Sequence, residues 1–470
     1  MKSALFILSI LSTSITLWSA DNWPQFRGPG GLSLAAPGDY PLHFGPGSNV
    51  LWKVALPPGN SSPCVWGDRI FLTALNQDKL ETLCLDRRDG RILWRKAASA
   101  EKLEPTHRLG SPATPTPSTD GERVYVSFGS YGIIAYDFNG REIWKNLLPQ
   151  PIIEFGTSSS PVASDGLVIL NCDQDVGSTL RAFAARTGKI VWQTSRDFFL
   201  RGFATPLVWR HDGTTELIVP GSVVLTSYDL KDGRERWSYR GTSRVATASP
   251  VAGAGLLFSS SWNVGGDEGE RVSMPKFNDV VLEYDKNKDG NFTVNEIPPG
   301  PVRERFSQID VNKDGVVTPA EWDAMAALFA RAENAVLAIK PGGRGDITAS
   351  HLAWKESKQL PYVSSPLYYE ERLYTVRSGG LVSCYDAKTG RPHFQGERLG
   401  AAGDYYSSAV GAAGRIYFIS QAGVVTVIQS GDELKILASH PLNEEVMPTP
   451  AFVDGKIYLR TAKFLYAFGR

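Results

Sequence analysis

Two hydrophobic–polar patterns alternate along most of the 470 residues. The first is a hydroxyl residue and a proline, a turn, then a run of β-favouring apolar residues. It occurs as "SSPCVWGDRIFL" at Pro63, "TPSTDGERVYVS" at Pro117, "SSPVASDGLVIL" at Pro161 and "ATPLVW" at Pro206. It continues as "ASPVAGAGLLFS" at Pro250, "SSPLYYEERLYTV" at Pro366, "SSAVGAAGRIYFI" at Ala409 and "PTPAFVDGKIYLR" at Pro450. The second is a short strand, an Asp-and-Gly turn and an aromatic residue: "CLDRRDGRILW", "AYDFNGREIW", "AFAARTGKIVW", "SYDLKDGRERW" and "CYDAKTGRPHF". Successive prolines, counting Ala409, lie 54, 44, 45, 44, 116, 43 and 41 residues apart. A four-stranded propeller blade takes roughly 40 to 45 residues. Eight units are therefore expected, with about 72 extra residues in the long interval.

Read as strands A to D, the last unit ends with "AFVDGKIYLR" and "FLYAFG", enough for A, B and C alone. The missing D strand is found near the other end, in "NVLWKVAL" with Trp52. The expected fold is all-β, an eight-bladed β-propeller whose N-terminal strand completes the last blade and removes the open edges of the ring. Its Trp and Gly residues are turn makers and inter-blade packing. The expected layout is a signal peptide over residues 1–20, an arm over 21–48, the propeller over 49–470, and a small helical insertion over 263–334 in blade five.

The extra residues carry "DKNKDGNFTVNE" at 285–296 and "DVNKDGVVTPAE" at 310–321. Calcium takes six to eight oxygens, and a loop supplies them at alternate positions while glycine at position 6 permits the bend. The first loop offers Asp285, Asn287, Asp289, the carbonyl of Asn291, Thr293 and Glu296. The second offers Asp310, Asn312, Asp314, the carbonyl of Val316, Thr318 and Glu321. Phe292 and Val317 occupy position 8, where they can join the loops through a short β-bridge. One such loop alone could also be a solvated Asp/Asn turn; two in tandem favour two calcium ions. The stretch resembles an EF-hand pair over about residues 274–334. Flanking helices are expected in "MPKFNDVVLEY" and "EWDAMAALFARAENA", the latter with Trp322, Met325, Leu328 and Phe329 on one face. Pro298 and Pro299 stop the first exiting helix almost at once, so a full sensor groove is not expected.

Charge and cysteines narrow the setting. The chain has 49 basic and 49 acidic residues, a balance that argues against bulk binding of nucleic acid or an anionic membrane. "MKSALFILSILSTSITLWSA" has the layout of a secretory signal peptide. No later apolar run reaches the roughly 18 residues needed to span a bilayer, so a periplasmic or secreted protein is expected. Cys84 and Cys384 fall where other repeats carry Ala135 and Ser227, a buried small-residue position rather than a disulfide or metal site; Cys64 and Cys172 lie far from both.

In an antiparallel blade the B–C and D–A loops share one face. The D–A loops are long, and the insertion is a B–C insertion, so both belong to the same face. Just before each inner strand stands a hydroxyl residue: Ser62, Thr116, Ser160, Thr205, Ser249, Ser365, Ser408 and Thr449. Around the axis these make a ring of small polar groups suited to sugars, water or a polar cofactor edge, or they answer only to crowding there. His107, Arg108, Asp173, Asp175, Arg201, Arg244, Asp404, Tyr405 and Tyr406 are the other polar candidates on that face.

The repeats "YDAKTGRPHF" and "FAARTGKIVW", the opening "NWPQFRGPGG" and the segment "LAIKPGGRGDIT" resemble the exported, planctomycete-type PQQ-like (pyrroloquinoline-quinone-repeat) propeller family. The resemblance covers residues 22–470, and some members of that family carry an EF-hand insertion. It implies two functional classes. A quinoprotein dehydrogenase of alcohols or sugars would use PQQ, a metal ion and an aspartate base, and many members stack the quinone beneath a disulfide of adjacent cysteines. This chain has no Cys-Cys pair, and Asp173 and Asp175 in "NCDQD" are its nearest candidates for the base. A non-catalytic binding or scaffold propeller, like the periplasmic propeller subunit of the outer-membrane β-barrel assembly machine, is the reading adopted, with a protein or carbohydrate partner on the long-loop face. A polysaccharide-binding propeller is a further alternative.

Overall fold

The computed structural model describes residues 22–196, 200–264, 274–300 and 302–470; the expected signal peptide lies outside them. Eight sheets form a ring, each built on a four-stranded antiparallel meander, one of them with an added fifth strand. Blade one is Cys64–Trp66, Arg69–Asn76, Lys79–Asp86 and Ile92–Ala98. Blade eight takes Ala451–Val453, Lys456–Arg460 and Phe464–Phe468 from the C-terminal end and closes on Val50–Ala55, with Val54 opposite Leu465. The N-terminal strand thus fastens the ring. The middle strands are buried on both faces between neighbouring blades, hence their near-continuous apolar runs, whereas the outer strands bury alternate residues.

The Trp and Gly residues of the repeat form one recurring contact. The outer-strand Trp of one blade lies on the turn glycine of the next: Trp52 on Gly90, Trp94 on Gly140, Trp144 on Gly188, Trp192 on Gly233 and Trp354 on Gly390. In each case the indole Nε1 donates to a carbonyl of that turn, at 2.8–3.1 Å: Arg87, Phe138, Ala185, Leu230 and Ala387. Opposite the aromatic residue, the third strand keeps a small partner, Cys84 against Trp94, Ala135 against Trp144 and Cys384 against Phe394. The cysteines at these positions are free and buried, which is the small-residue role their repeat position predicts. Trp237 breaks the pattern. Its Nε1 donates to Glu216 at 2.9 Å, and Gly345–Asp346 adds a parallel fifth strand beside it.

The arm crosses beneath the axis. Trp23 bridges Val65 of blade one, Pro24 accepts from the Thr119 amide of blade two, and Leu34 bridges Gly411 of blade seven. Between these contacts Arg27, fully buried, donates to the carbonyls of Ser249, Pro250 and Pro366 and to Ser33 Oγ.

Residues 262–334 come between the second and third strands of blade five, Leu256–Ser261 and Ala335–Ile339. They include helices α1 (Phe277–Tyr284), α2 (Phe306–Ile309) and α3 (Pro319–Arg331). Among the described residues no helix directly leaves the first loop, where Pro298 and Pro299 stand. Phe277, Val280, Phe292, Ile309, Val317, Trp322, Met325 and Phe329 make a separate small core, with Phe277 stacked on Phe292 at 4.4 Å. No described helix is long and apolar enough to cross a membrane.

Candidate functional site: the axial cavity and the inserted loops

The hydroxyl residues before the eight inner strands close into a hydrogen-bonded circle. Ser62 N donates to Thr116 Oγ1, Thr116 N to Ser160 Oγ, Ser160 N to Thr205 Oγ1 and Thr205 N to Ser249 Oγ. Ser249 N then donates to Ser365 Oγ, Ser365 N to Ser408 Oγ, Ser408 N to Thr449 Oγ1, and Thr449 N back to Ser62 Oγ. The distances run from 2.9 to 3.3 Å. Each hydroxyl satisfies a backbone N–H that the crowded axis would otherwise strand, the reason every blade needs Ser or Thr there. None of the eight donates to an acceptor among the described residues, which leaves eight O–H groups unspent there.

Above this circle lies a cavity of about 630 Å³, with the eight hydroxyl residues in its lining and Phe26 of the arm reaching it as well. Its second tier comes from strand alternation: the residue two positions before each hydroxyl also lines it, namely Asn60, Thr114, Ser158, Phe203, Thr247, Val363, Tyr406 and Met447. The D–A loops add His107, Phe155, Arg201, Arg244 and Tyr362. Asp175 and Asn263 enter from B–C loops, and Glu304, Arg305 and Gln308 from the insertion.

Of the polar candidates on this face, the cavity gathers His107, Asp175, Arg201, Arg244 and Tyr406. Arg108, Asp173, Asp404 and Tyr405 stand outside its lining. Asp173 is fully buried and held bidentate by Arg196 at 2.7 and 3.0 Å. Burial opposes the Arg196 charge, but Asp173 together with Tyr228 holds the guanidinium above its ordinary value. Asp175 is likewise taken bidentate by Arg201, at 2.6 Å on both oxygens, with Glu154 as a third contact at 2.9 Å. The Tyr405 hydroxyl turns away to the Ala401 carbonyl. Asn60, Asn263, Gln308, Arg305 and Tyr362 were not singled out in sequence. For Asn60 the missed signal is alternation; for Gln308 and Arg305 it lies in the insertion's packing on the loop face.

Arg244 differs from Arg201. Its Nη1 donates to Gln308 Oε1 at 2.6 Å and its Nη2 to Asn263 Oδ1 at 2.8 Å, both neutral, while its face lies 5.0 Å over Phe329. Burial pulls the guanidinium down to about 10, and repulsion from Arg305 and Arg201 adds to this.

The two twelve-residue loops superimpose in their bonding. In each, the first Asp accepts from the amides of positions 5 and 6: Asp289 and Gly290 on Asp285, Asp314 and Gly315 on Asp310. Phe292 and Val317 exchange backbone bonds at 2.9 and 2.8 Å. Gly290 and Gly315 take φ of 83° and 88°, where glycine is required for the bend. Glu296 and Glu321 fold back onto Thr293 and Thr318 and onto the amides that open each loop. The donor set is oxygen throughout and the bend is preformed, which fits a hard dication. No group of three His, Cys, Asp or Glu side chains converges on one point among the described residues. The oxygens at positions 7 and 9 are a carbonyl and a hydroxyl, outside that group, and the glutamates are turned onto loop amides.

Comparison with known proteins fits this geometry. Residues 44–195 and 83–274 match the family model described as outer membrane protein assembly factor BamB. The chain is an eight-bladed β-propeller that over residues 44–274 is similar to this PQQ-like-repeat family. This propeller is also 22% identical over 244 residues to the tetrathionate hydrolase of Acidithiobacillus ferrooxidans, an alignment spanning 48% of the chain and 46% of that relative, less than half of its length. Among solved structures, BamB from Moraxella catarrhalis aligns over 89% of the propeller and 98% of its own chain, with TM-score 0.56 and 12% identity. A europium-containing methanol dehydrogenase aligns over 96% and 99%, with TM-score 0.58 and 11% identity. At such identities these structures share the fold.

Proposed function

We propose that this propeller is an exported, calcium-binding protein acting as a non-catalytic binding or scaffold module, its cavity and surrounding long loops facing a partner. The observation that carries the reading is the state of the axial carboxylates. Asp173 and Asp175 each give both oxygens to one guanidinium, so neither carboxylate is turned free toward a substrate in the cavity. Glu304, the other carboxylate on the lining, stands exposed on the insertion. None of the four cysteines reaches the lining. The residues present therefore do not fit a quinone held under a disulfide with a free aspartate beside it.

Calcium belongs to the same proposal. Asp285, Asn287, Asp289, Asn291, Thr293 and Glu296 would hold one ion, and Asp310, Asn312, Asp314, Val316, Thr318 and Glu321 the other. The ions would supply charge neutralisation and a crosslink between the loops, fixing the insertion against the cavity.

Reconstitution of the purified chain with PQQ and calcium tests the reading. The expected outcome is no quinone absorbance after desalting and no dye reduction with alcohols or sugars. A retained quinone band with substrate-dependent dye reduction would overturn it.

A further inference from the structure

Arg244 holds a charge that nothing described nearby neutralises. It is 7% exposed, faces the cavity, and spends two N–H groups on the neutral oxygens of Gln308 and Asn263. Arg27 and Arg460 are also buried without a carboxylate. Each, however, donates to four carbonyl or serine oxygens in packed surroundings. Arg244 has two acceptors and open space. An uncompensated buried cation is costly, and the cost is relieved when an anion docks. Independently, the floor carries eight O–H groups with no acceptor among the described residues, so the cavity suits an acceptor-rich occupant. In the tier above, Ser158 and Thr247 spend their hydroxyl hydrogens on the Phe203 and Tyr362 carbonyls and Asn60 donates to the Leu109 carbonyl, leaving mainly acceptor oxygens beside the aromatic faces of Tyr362 and Tyr406. That combination of hydroxyls, amides and aromatic rings suits a sugar, which offers both bonding senses and a flat apolar face.

We infer that the cavity binds a carboxylated sugar of the uronate class, its carboxylate on Arg244 and its hydroxyls over the Ser/Thr circle. Arg244 is then the specificity residue, separating acidic from neutral sugars. The inference rests on the binding-module reading and deepens it by naming the class of ligand.

Isothermal titration of the full chain in excess calcium, with a singly charged glucuronyl trisaccharide, decides it. The controls are the same trisaccharide with glucose in place of glucuronate, and an acidic peptide with a free C-terminus. The expected results are binding of the glucuronyl sugar and at least roughly tenfold weaker binding of the neutral one. Arg244→Gln should lose about a hundredfold in affinity, the scale of removing one partner of a buried charged contact, and Arg244→Lys should retain part of it. Arg244→Gln should melt no lower than the parent, because glutamine can still meet Gln308 and Asn263 while the buried charge is gone. Equal binding of the neutral sugar, unchanged affinity in Arg244→Gln, preference for the peptide, or a lower melting temperature for Arg244→Gln would each overturn the inference. Quinone uptake on reconstitution is a separate readout, which would sink the binding-module reading itself.

Discussion

Gly188→Ala should destabilise the propeller far more than a methyl group on a surface turn ordinarily does. Gly188 sits at φ +69, a conformation that costs an L-residue about 1 kcal/mol. Its new Cβ would lie 2.5–2.9 Å from Cδ2, Cε3 and Cγ of Trp144, so ring or turn must yield by about 1 Å to reach ordinary contact. The ring has little room to retreat. It is 8% exposed, stacks with Phe183 at 6.3 Å, meets Tyr125 at 5.9 Å and is anchored by its 2.8 Å bond to the Ala185 carbonyl. Overpacking of this kind costs about 1–3 kcal/mol and a weakened buried hydrogen bond about 1 kcal/mol more. The total is about 3–5 kcal/mol. Gly255→Ala is the matched control, with φ +75 and nothing within 4 Å, so it carries only the backbone cost of about 1 kcal/mol. Urea unfolding followed by tryptophan fluorescence measures both. Adding Trp144→Leu should then recover part of the Gly188→Ala loss, because the smaller side chain vacates the contact. Equal midpoints for the two glycine variants, or strict additivity with Trp144→Leu, would refute the contact as the basis of blade-to-blade docking.

Chelation should speed hydrogen exchange over residues 274–334 while the blades stay protected. With about 1 mM calcium and a dissociation constant on the order of 10⁻⁴ M, occupancy contributes about 1.4 kcal/mol, and equal protection with and without chelator would count against the ions. Glu104→Gln tests a buried carboxylate. Burial raises the Glu104 pKa against the opposing bonds from Thr157, so its folded form takes up a proton more readily than the unfolded chain. The wild type is thus relatively most stable below the unfolded pKa and loses that advantage as pH rises toward the folded one. The glutamine variant should be the more stable at pH 7, with the difference vanishing in acid; thermal melts across that range check the sign.

The blade count and the closing strand were readable because the repeat is written in side chains that recur at fixed spacing. Pro63 to Pro450 mark inner strands, and the unpartnered Trp52 strand announces the closure that pairs Val54 with Leu465. The hydroxyl circle was readable as composition but not as mechanism. That Ser62 accepts from Thr449, 387 residues away, depends on backbone donors that leave no mark in sequence. The same limit hid Arg27, whose acceptors are main-chain carbonyls 222 to 339 residues distant. Trp237 shows the converse. "SYDLKDGRERW" is indistinguishable from its sister repeats, yet the added Gly345–Asp346 strand and Glu216 give its indole a different partner. Repetition predicts a contact only where the neighbouring blade also repeats.

The candidate site divides along the same line. Each Ser or Thr of the circle has an oxygen that accepts for the architecture and a hydrogen left over for a ligand, so structural necessity and binding capacity reside in one side chain. A function for the circle therefore cannot be separated from the fold by substituting it: Thr116→Val would remove the O–H donor and also strand the Ser62 amide. Arg244 escapes that confusion, because removing it frees the oxygens of two partly exposed side chains and loses a contact with Phe329 but strands no backbone group. One of those oxygens belongs to Gln308, two residues ahead of Asp310, the first oxygen of the second loop. Any ordering of that loop by an ion bears on the orientation of Gln308 and through it on Arg244. Were both sites to bind as proposed, the two equilibria would be coupled through this bond, and linkage would require the coupling to act equally in both directions.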